Sequence, residues 1–194
     1  MRRPPLIVLY GITAAILIGV ALLLSDFYRS LLTEMLIAGL FALSLNLIMG
    51  YGGMVSFGHA AFYGLGGYAV GILTTRYGVD PFVAMALAPF VAALGALIIG
   101  WFAVRRVRLY FSILTLAFGQ VLYTLVFNNA EFTGGDNGLL GIPGADWLRP
   151  ELNYFLFALA IFALCFAALR VLIRSPFILT LRAIRENPER AQFI

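Results

Sequence analysis

The side chains able to do chemistry in this sequence lie inside apolar runs. Asn46, Ser56 and His59 fall between Met35 and Thr75, a stretch of 41 residues with no Asp, Glu, Lys or Arg. Ser112, Thr115, Gly119 and Tyr123 recur at spacings of 3, 4 and 4, which places them along one helical face. Gln120 sits beside that stripe as the single amide of its segment. Amide, hydroxyl and imidazole groups are expensive at membrane depth, so their presence there is a sign of function by default. Their chemistry would be hydrogen bonding, either to a solute passing through or to a neighbouring helix. The small-and-polar stripe fits both uses. His59 likewise fits a substrate contact, a proton carrier or a histidine that fixes helix packing.

Other chemistries are excluded by what the sequence lacks. It contains no lysine, so the Gly-x-x-x-x-Gly-Lys-[Ser/Thr] phosphate-binding loop cannot occur, and nucleotide hydrolysis of the usual kind is not expected. One histidine and one cysteine, 106 residues apart, recommend neither a metal site nor a Cys/His nucleophile. No catalytic residue, metal or cofactor is expected. Glu34 lies near a segment end and no other acid falls within an apolar segment, which argues against a buried carboxylate proton relay. Any energy source must therefore come from a partner. Cys165, inside Phe162-Ala-Leu-Cys-Phe-Ala-Ala, reads as a small hydrophobe.

The elements that carry these groups follow from composition. The chain is 62% hydrophobic and 11% charged, with a mean hydropathy of +0.98, whereas soluble domains carry roughly 25% charged residues. The expected fold is all-α, a polytopic transmembrane helical bundle. Six segments approach the roughly 20 apolar residues needed to cross a bilayer: 6–24, 31–49, 53–75, 81–104, 109–127 and 154–173. The first follows Arg2-Arg3, but its 19 uncharged residues exceed a typical signal core of about 7–15, so it reads as a retained helix.

The 13 arginines cluster at segment ends, where they act as topology signals, not as a nucleic-acid footprint. With the N-terminus inside, 10 arginines lie inside and 3 outside, while 7 of the 9 acids lie outside. Both termini are thus expected in the cytoplasm, with residues 1–173 as the membrane region and 174–194 as a cytoplasmic segment.

Eight glycines crowd the interval from Gly50 to Gly71. Gly50, Gly52 and Gly53 predict a helix break, since glycine tolerates positive φ. The break fits either a hairpin tip at the inner face or a half-helix ending partway down. Gly67-x-x-x-Gly71 predicts close approach of a neighbouring backbone, and Pro89 predicts a kink. The 128–153 loop holds Thr133-Gly-Gly-Asp-Asn-Gly-Leu-Leu-Gly-Ile-Pro143, a dense set of turn formers. It reads as a compact outer loop or as a substrate contact, and it lacks the alternating acids of a calcium loop. In the tail, Ser175-Pro176 predicts a helix start. Phe177, Ile178, Leu181 and Ile184 are expected on one side and Arg182 and Arg185 on the other. Asn187-Pro188 predicts a second helix start. The tail suits an interfacial helix or a short lever docking on a cytoplasmic partner.

Four blocks of this sequence together resemble one family. Asn46-Leu-Ile-Met-Gly-Tyr-Gly-Gly-Met-Val-Ser-Phe-Gly-His-Ala-Ala-Phe-Tyr-Gly-Leu-Gly-Gly-Tyr68 resembles the signature of permease subunits of bacterial branched-chain amino-acid ABC importers. Ser112-Ile-Leu-Thr-Leu-Ala-Phe-Gly-Gln120 and the Thr133–Pro143 block point to the M-type (LivM-like) subunit. Leu181-Arg-Ala-Ile-Arg-Glu-Asn-Pro-Glu-Arg190 resembles the family's cytoplasmic coupling loop. The resemblance implies a multi-pass protein of the bacterial inner membrane, embedded in the lipid bilayer and binding no nucleic acid. It implies an H-type paralogous permease subunit, two cytoplasmic ATP-binding subunits and a periplasmic amino-acid-binding protein as partners. The function implied is inward transport by alternating access, with urea or short amides as alternative substrates. A stand-alone channel or facilitator and a non-transporting scaffold are the rival classes. By the same resemblance Arg182, Arg185 and Glu186 are expected to couple to the ATPases, and Asn46, Ser56, His59, Thr115 and Gln120 to line or shape the path. Family members continue with further membrane helices, so a sequence ending at Ile194 looks C-terminally truncated.

Overall fold

A computed structural model describes residues 6–104, 108–187 and 191. Among the described residues all regular structure is helical. The helices are α1 (Leu6–Leu23), α2 (Asp26–Asn46), α3 (His59–Thr75), α4 (Pro81–Ala103), α5 (Arg108–Asn128), α6 (Ala130–Thr133), α7 (Glu151–Ile173) and α8 (Pro176–Glu186). A π-helical turn, Leu47–Tyr51, extends α2, and 3-10 turns occur at Gly135–Asn137 and Asp146–Leu148.

The polytopic helical class holds, with a correction to the number of spans. Among the described residues four helices, not six, are long and apolar enough to cross a membrane: Asp26–Tyr51, Pro81–Ala103, Tyr110–Asn128 and Glu151–Ile173. The expected 53–75 span shortens because residues 53–58 leave the helix, so α3 has 17 residues. At 1.5 Å per residue that is about 25 Å, short of roughly 30 Å of hydrocarbon. In α1 the apolar stretch Thr13–Leu23 is likewise short among the described residues. Arg2, Arg3, Arg105, Arg106 and Arg190, used above for orientation, lie outside the described residues, as does most of the second tail helix expected from Asn187-Pro188.

The chain forms two compact units. The first comprises Met1–Leu40 and Asp146–Arg170. Its core is Ala21, Phe155 and Leu159, packed by Leu17, Leu32 and Leu36, so α1, α2 and α7 meet around the fully buried Phe155 ring. Alanine at position 21 lets α1 approach that ring. Arg29 closes the α1–α2 turn: its Nε donates to the Ala21 carbonyl at 2.8 Å and its Nη1 pairs with Asp26 at 2.6 Å. A cation on the last carbonyls of a helix satisfies orphaned acceptors and complements the helix dipole.

The second unit comprises Phe41–Ala145 and Val171–Ile194. Here α3 and α4 pack side by side, and both contact α5. Asp80 caps α4 by accepting from the Phe82 N–H at 2.9 Å, with Pro81 in the first turn. α4 continues as one helix through Pro89. The 128–145 segment is a compact turn system folded onto α5. Thr133 is buried and its hydroxyl lies 2.5 Å from the Val126 carbonyl and 2.8 Å from that of Asn129. Gly134, at φ +83, ends α6. Arg76 ties the C-terminus of α3 to the Glu131 carbonyl.

Phe155→Ala is expected to destabilise the first unit by about 3–5 kcal/mol through lost packing and a residual cavity. The same truncation at the exposed Leu164 should cost under about 1 kcal/mol. Equilibrium unfolding of the two variants in mixed detergent micelles measures the difference.

Candidate functional site

The helix break is built by glycine. After Asn46 the helix widens, and Gly52 N–H reaches back five residues to the Leu47 carbonyl at 3.2 Å. Met54 N–H reaches back six, to Ile48, also at 3.2 Å. These wide turns keep the backbone amides paired as the helix ends, a strict requirement away from water. Gly52 is buried, and a Cβ there would lie 2.7 Å from the Ile48 carbonyl oxygen. Gly53 has φ +66, the left-handed region where only glycine is unstrained. The break follows a 26-residue helix, Asp26–Tyr51, about 39 Å long.

The chain leaving the break lies across the small face of α5. The Ser112 hydroxyl donates to the Val55 carbonyl at 2.7 Å. Gly58 presses on Thr115 so closely that a Cβ would strike the Thr115 carbonyl, and a Cβ at Gly119 would sit 3.5 Å from the Gly58 Cα. Ser56 and Thr115 are buried, and the Thr115 hydroxyl donates to the Ser112 carbonyl at 2.9 Å. The stripe on α5 thus divides by level. Ser112, Thr115 and Gly119 receive the loop, while Gly119 also joins Gln120 and Tyr123 in facing open space.

His59 opens α3 and pins it to α2. Its Nε2 lies 2.8 Å from the Ser44 hydroxyl, which also lies 2.8 Å from the Phe41 carbonyl. Ser44 has one proton to give; with it on Phe41, the imidazole Nε2–H is the donor to Ser44. The ring packs 5.0 Å from Phe41, and Nδ1 has no partner among the described residues. Asn46 is exposed, with its side-chain oxygen over Gly50.

Above the loop, α3 and α5 border an open cavity of about 620 Å³. Phe57 and Gly58 border one end and the Gly135–Gly138 turn the other. Ala61, Gly64, Leu65 and Tyr68 form the α3 wall; Leu116, Gly119, Gln120 and Tyr123 are on the α5 wall. The lining is apolar, with an amide, two phenols and the Asp136–Asn137 pair as polar points. Of the five residues expected to shape a path, Gln120 lines this cavity. Asn46, Ser56, His59 and Thr115 lie outside its walls, the last three in the junction that holds α2, α3 and α5 together. The α3 wall escaped the sequence reading, although Ala61, Gly64, Leu65 and Tyr68 at i, i+3, i+4 and i+7 carry the signal of one face. Of the two glycines expected at a close approach, Gly71 is covered by Leu139 and Ile142 of the loop, while the space beside Gly67 is open.

The tail helix docks on the break. Ile178 of α8 is fully buried, the Arg182 guanidinium stacks 4.7 Å from the Tyr51 ring centre, and Arg185 Nη1 donates to the Gly50 carbonyl. This corrects the expected division of α8. Ile178 is buried and Arg182 and Arg185 follow it on the same face, exposed yet in contact with the break, while Leu181 is half-buried and Phe177, Leu179 and Ile184 are exposed. The reason is chemical: the break offers a carbonyl and an aromatic face, both of which suit a guanidinium. Glu186 lies 4.0 Å from Arg185 with its side chain in solvent. Ser175 occupies the N-cap position, but its hydroxyl donates back to the Leu172 carbonyl at 2.6 Å.

Residues 27–194 match the family described as branched-chain amino acid transport system / permease component. The chain belongs to this permease family. The permease is 36% identical over 101 residues to the high-affinity branched-chain amino acid transport system permease protein LivM of Salmonella typhimurium. It is 35% identical over 101 residues to the LivM protein of Escherichia coli K12. Each match covers 52% of the permease and 24% of the relative, so the chain matches about a quarter of the length of these relatives. No solved structure matches it.

Gly58→Ala is expected to push the 54–58 loop off α5, because the obstacle is backbone, which cannot rotate away. A cost of about 1–3 kcal/mol is expected from such overpacking. Gly64→Ala, where the space is open, should raise stability by about 0.5–1 kcal/mol, since alanine is the better former of a helix interior. Thermal denaturation of the detergent-solubilised permease compares the two.

Proposed function

We propose that this permease is the M-type subunit of a binding-protein-dependent ABC importer for branched-chain amino acids in the bacterial inner membrane. Residues 1–173 form the membrane region and residues 174–194 the cytoplasmic coupling segment. Its partners are an H-type permease subunit, two ATP-binding subunits and a periplasmic binding protein. The observation that carries this reading is the continuity between α8, the glycine break and the cavity. A basic amphipathic helix grips the joint whose far end, Phe57 and Gly58, borders a cavity between two helices. That is the arrangement needed for a cytoplasmic event to reshape a site inside the membrane.

The cavity wall also suits the substrate. An aliphatic amino acid needs apolar walls for its side chain and a few polar groups for its ammonium and carboxylate. Leu65, Leu116 and Leu122 supply the first; Gln120, Tyr123 and Asp136 supply the second. ATP binding and hydrolysis on the partners bias the permease pair between outward-open and inward-open states, each closing the path on one side.

The test is ATP-dependent leucine uptake into proteoliposomes holding the chain with its partners. Uptake that needs both ATP and the binding protein supports the importer; uptake that persists without either supports a facilitator. Gln120→Leu is expected to lower the rate at limiting substrate about 5–30-fold, the loss for one hydrogen bond worth about 1–2 kcal/mol. Unchanged uptake and selectivity would remove Gln120 from the path.

A further inference from the structure

We propose that Arg182 and Arg185 are positioning residues that fasten α8 to the break between α2 and α3, so that α8 moves the floor of the cavity directly. The inference rests on the importer reading, and it changes the work assigned to these two arginines. Their guanidinium groups engage the protein's own joint.

The contacts are specific to this joint. The last carbonyls of a helix lack intrahelical donors, and the Gly50 carbonyl is among them. Arg185 donates to it from 135 residues away in sequence. The stem of the same side chain lies over Gly53, where a Cβ would stand 2.7 Å from Arg185 Cγ and 3.0 Å from Cδ. Gly53 is thus required twice, for its left-handed φ and for the space it leaves to Arg185. Arg182 adds its stacking on Tyr51, in the π turn itself. Ile178, on the same face, is fully buried.

From this grip to the cavity the chain has little slack. Met54 is held back to Ile48, Val55 is held to Ser112 of α5, and Gly58 is wedged against Thr115. Phe57 and Gly58 border the cavity. A displacement of α8 therefore reaches the cavity floor through a short, tethered segment. Arg182 and Arg185 are both partly solvent-exposed, which suits contacts that are made and broken during a cycle. Glu186 and the exposed Leu179 and Ile184 remain on α8 for a partner to push against.

The experiment measures ATP hydrolysis and leucine uptake in the same proteoliposomes. Arg185→Met keeps the stem and removes the donors; it should leave hydrolysis at the wild-type rate and lower uptake per ATP by at least about fivefold, the low end of a typical coupling effect. Arg185→Lys should restore part of that ratio, since it keeps a cation for the Gly50 carbonyl. Gly53→Ala should uncouple likewise, whereas Gly78→Ala, at a similar φ of +62 but with open space around it, should not. Wild-type uptake per ATP in Arg185→Met would overturn the proposal, as would a parallel fall of hydrolysis and uptake. A short bifunctional thiol reagent applied in membranes to Tyr51→Cys/Arg182→Cys tests the grip without transport. Failure of that pair to cross-link overturns the proposal, while wild-type vesicles showing no ATP-dependent uptake overturn the importer reading instead.

Discussion

Backbone pairing at the end of α2 is the constraint on which the second unit depends. A helix that ends in apolar surroundings must find partners for amides that water would otherwise take. Here the widened turn at Leu47–Tyr51 sends the Gly52, Gly53 and Met54 amides back to carbonyls within the same helix. The orphaned Gly50 carbonyl is met by a guanidinium from α8. The Val55 carbonyl is met by a hydroxyl from α5. Each solution recruits a different element, so the break becomes the hub through which α2, α3, α5 and α8 are joined.

Glycine makes this hub possible, at three positions for three reasons. Gly52 leaves room for a carbonyl of its own helix, Gly53 takes the left-handed φ beneath an arginine stem, and Gly58 lets two backbones touch. None of these substitutes for another. The cavity above is a consequence of the same economy: the loop fills the lower part of the small face of α5, and the upper part stays open beside Gly64 and Ala61.

Much of this was legible in the residues. The charge-free interval from Met35 to Thr75 marks the membrane region, and its glycines mark the break. The stripe at Ser112, Thr115, Gly119 and Tyr123 marks the face of α5 that matters. Periodicity and glycine content are local properties, and local properties survive in a sequence. Periodicity alone left open what faces the stripe, and the structure divides it between a loop and a cavity. The span expected over 53–75 shortens because hydropathy counts apolar residues whether or not they are helical, and residues 53–58 are not.

The tail shows where such reading stops. An amphipathic pattern says that α8 has two faces, and the ordinary expectation buries the apolar one. The structure buries Ile178 and lays the exposed Arg182 and Arg185 of the same face against a tyrosine ring and a bare carbonyl. The sequence by itself determined the class, the break and the basic helix, since each is written in a run of neighbouring residues. Only the tertiary structure decided that the basic helix closes on the break. That contact joins groups 135 residues apart, and its energy exists only once both are in place.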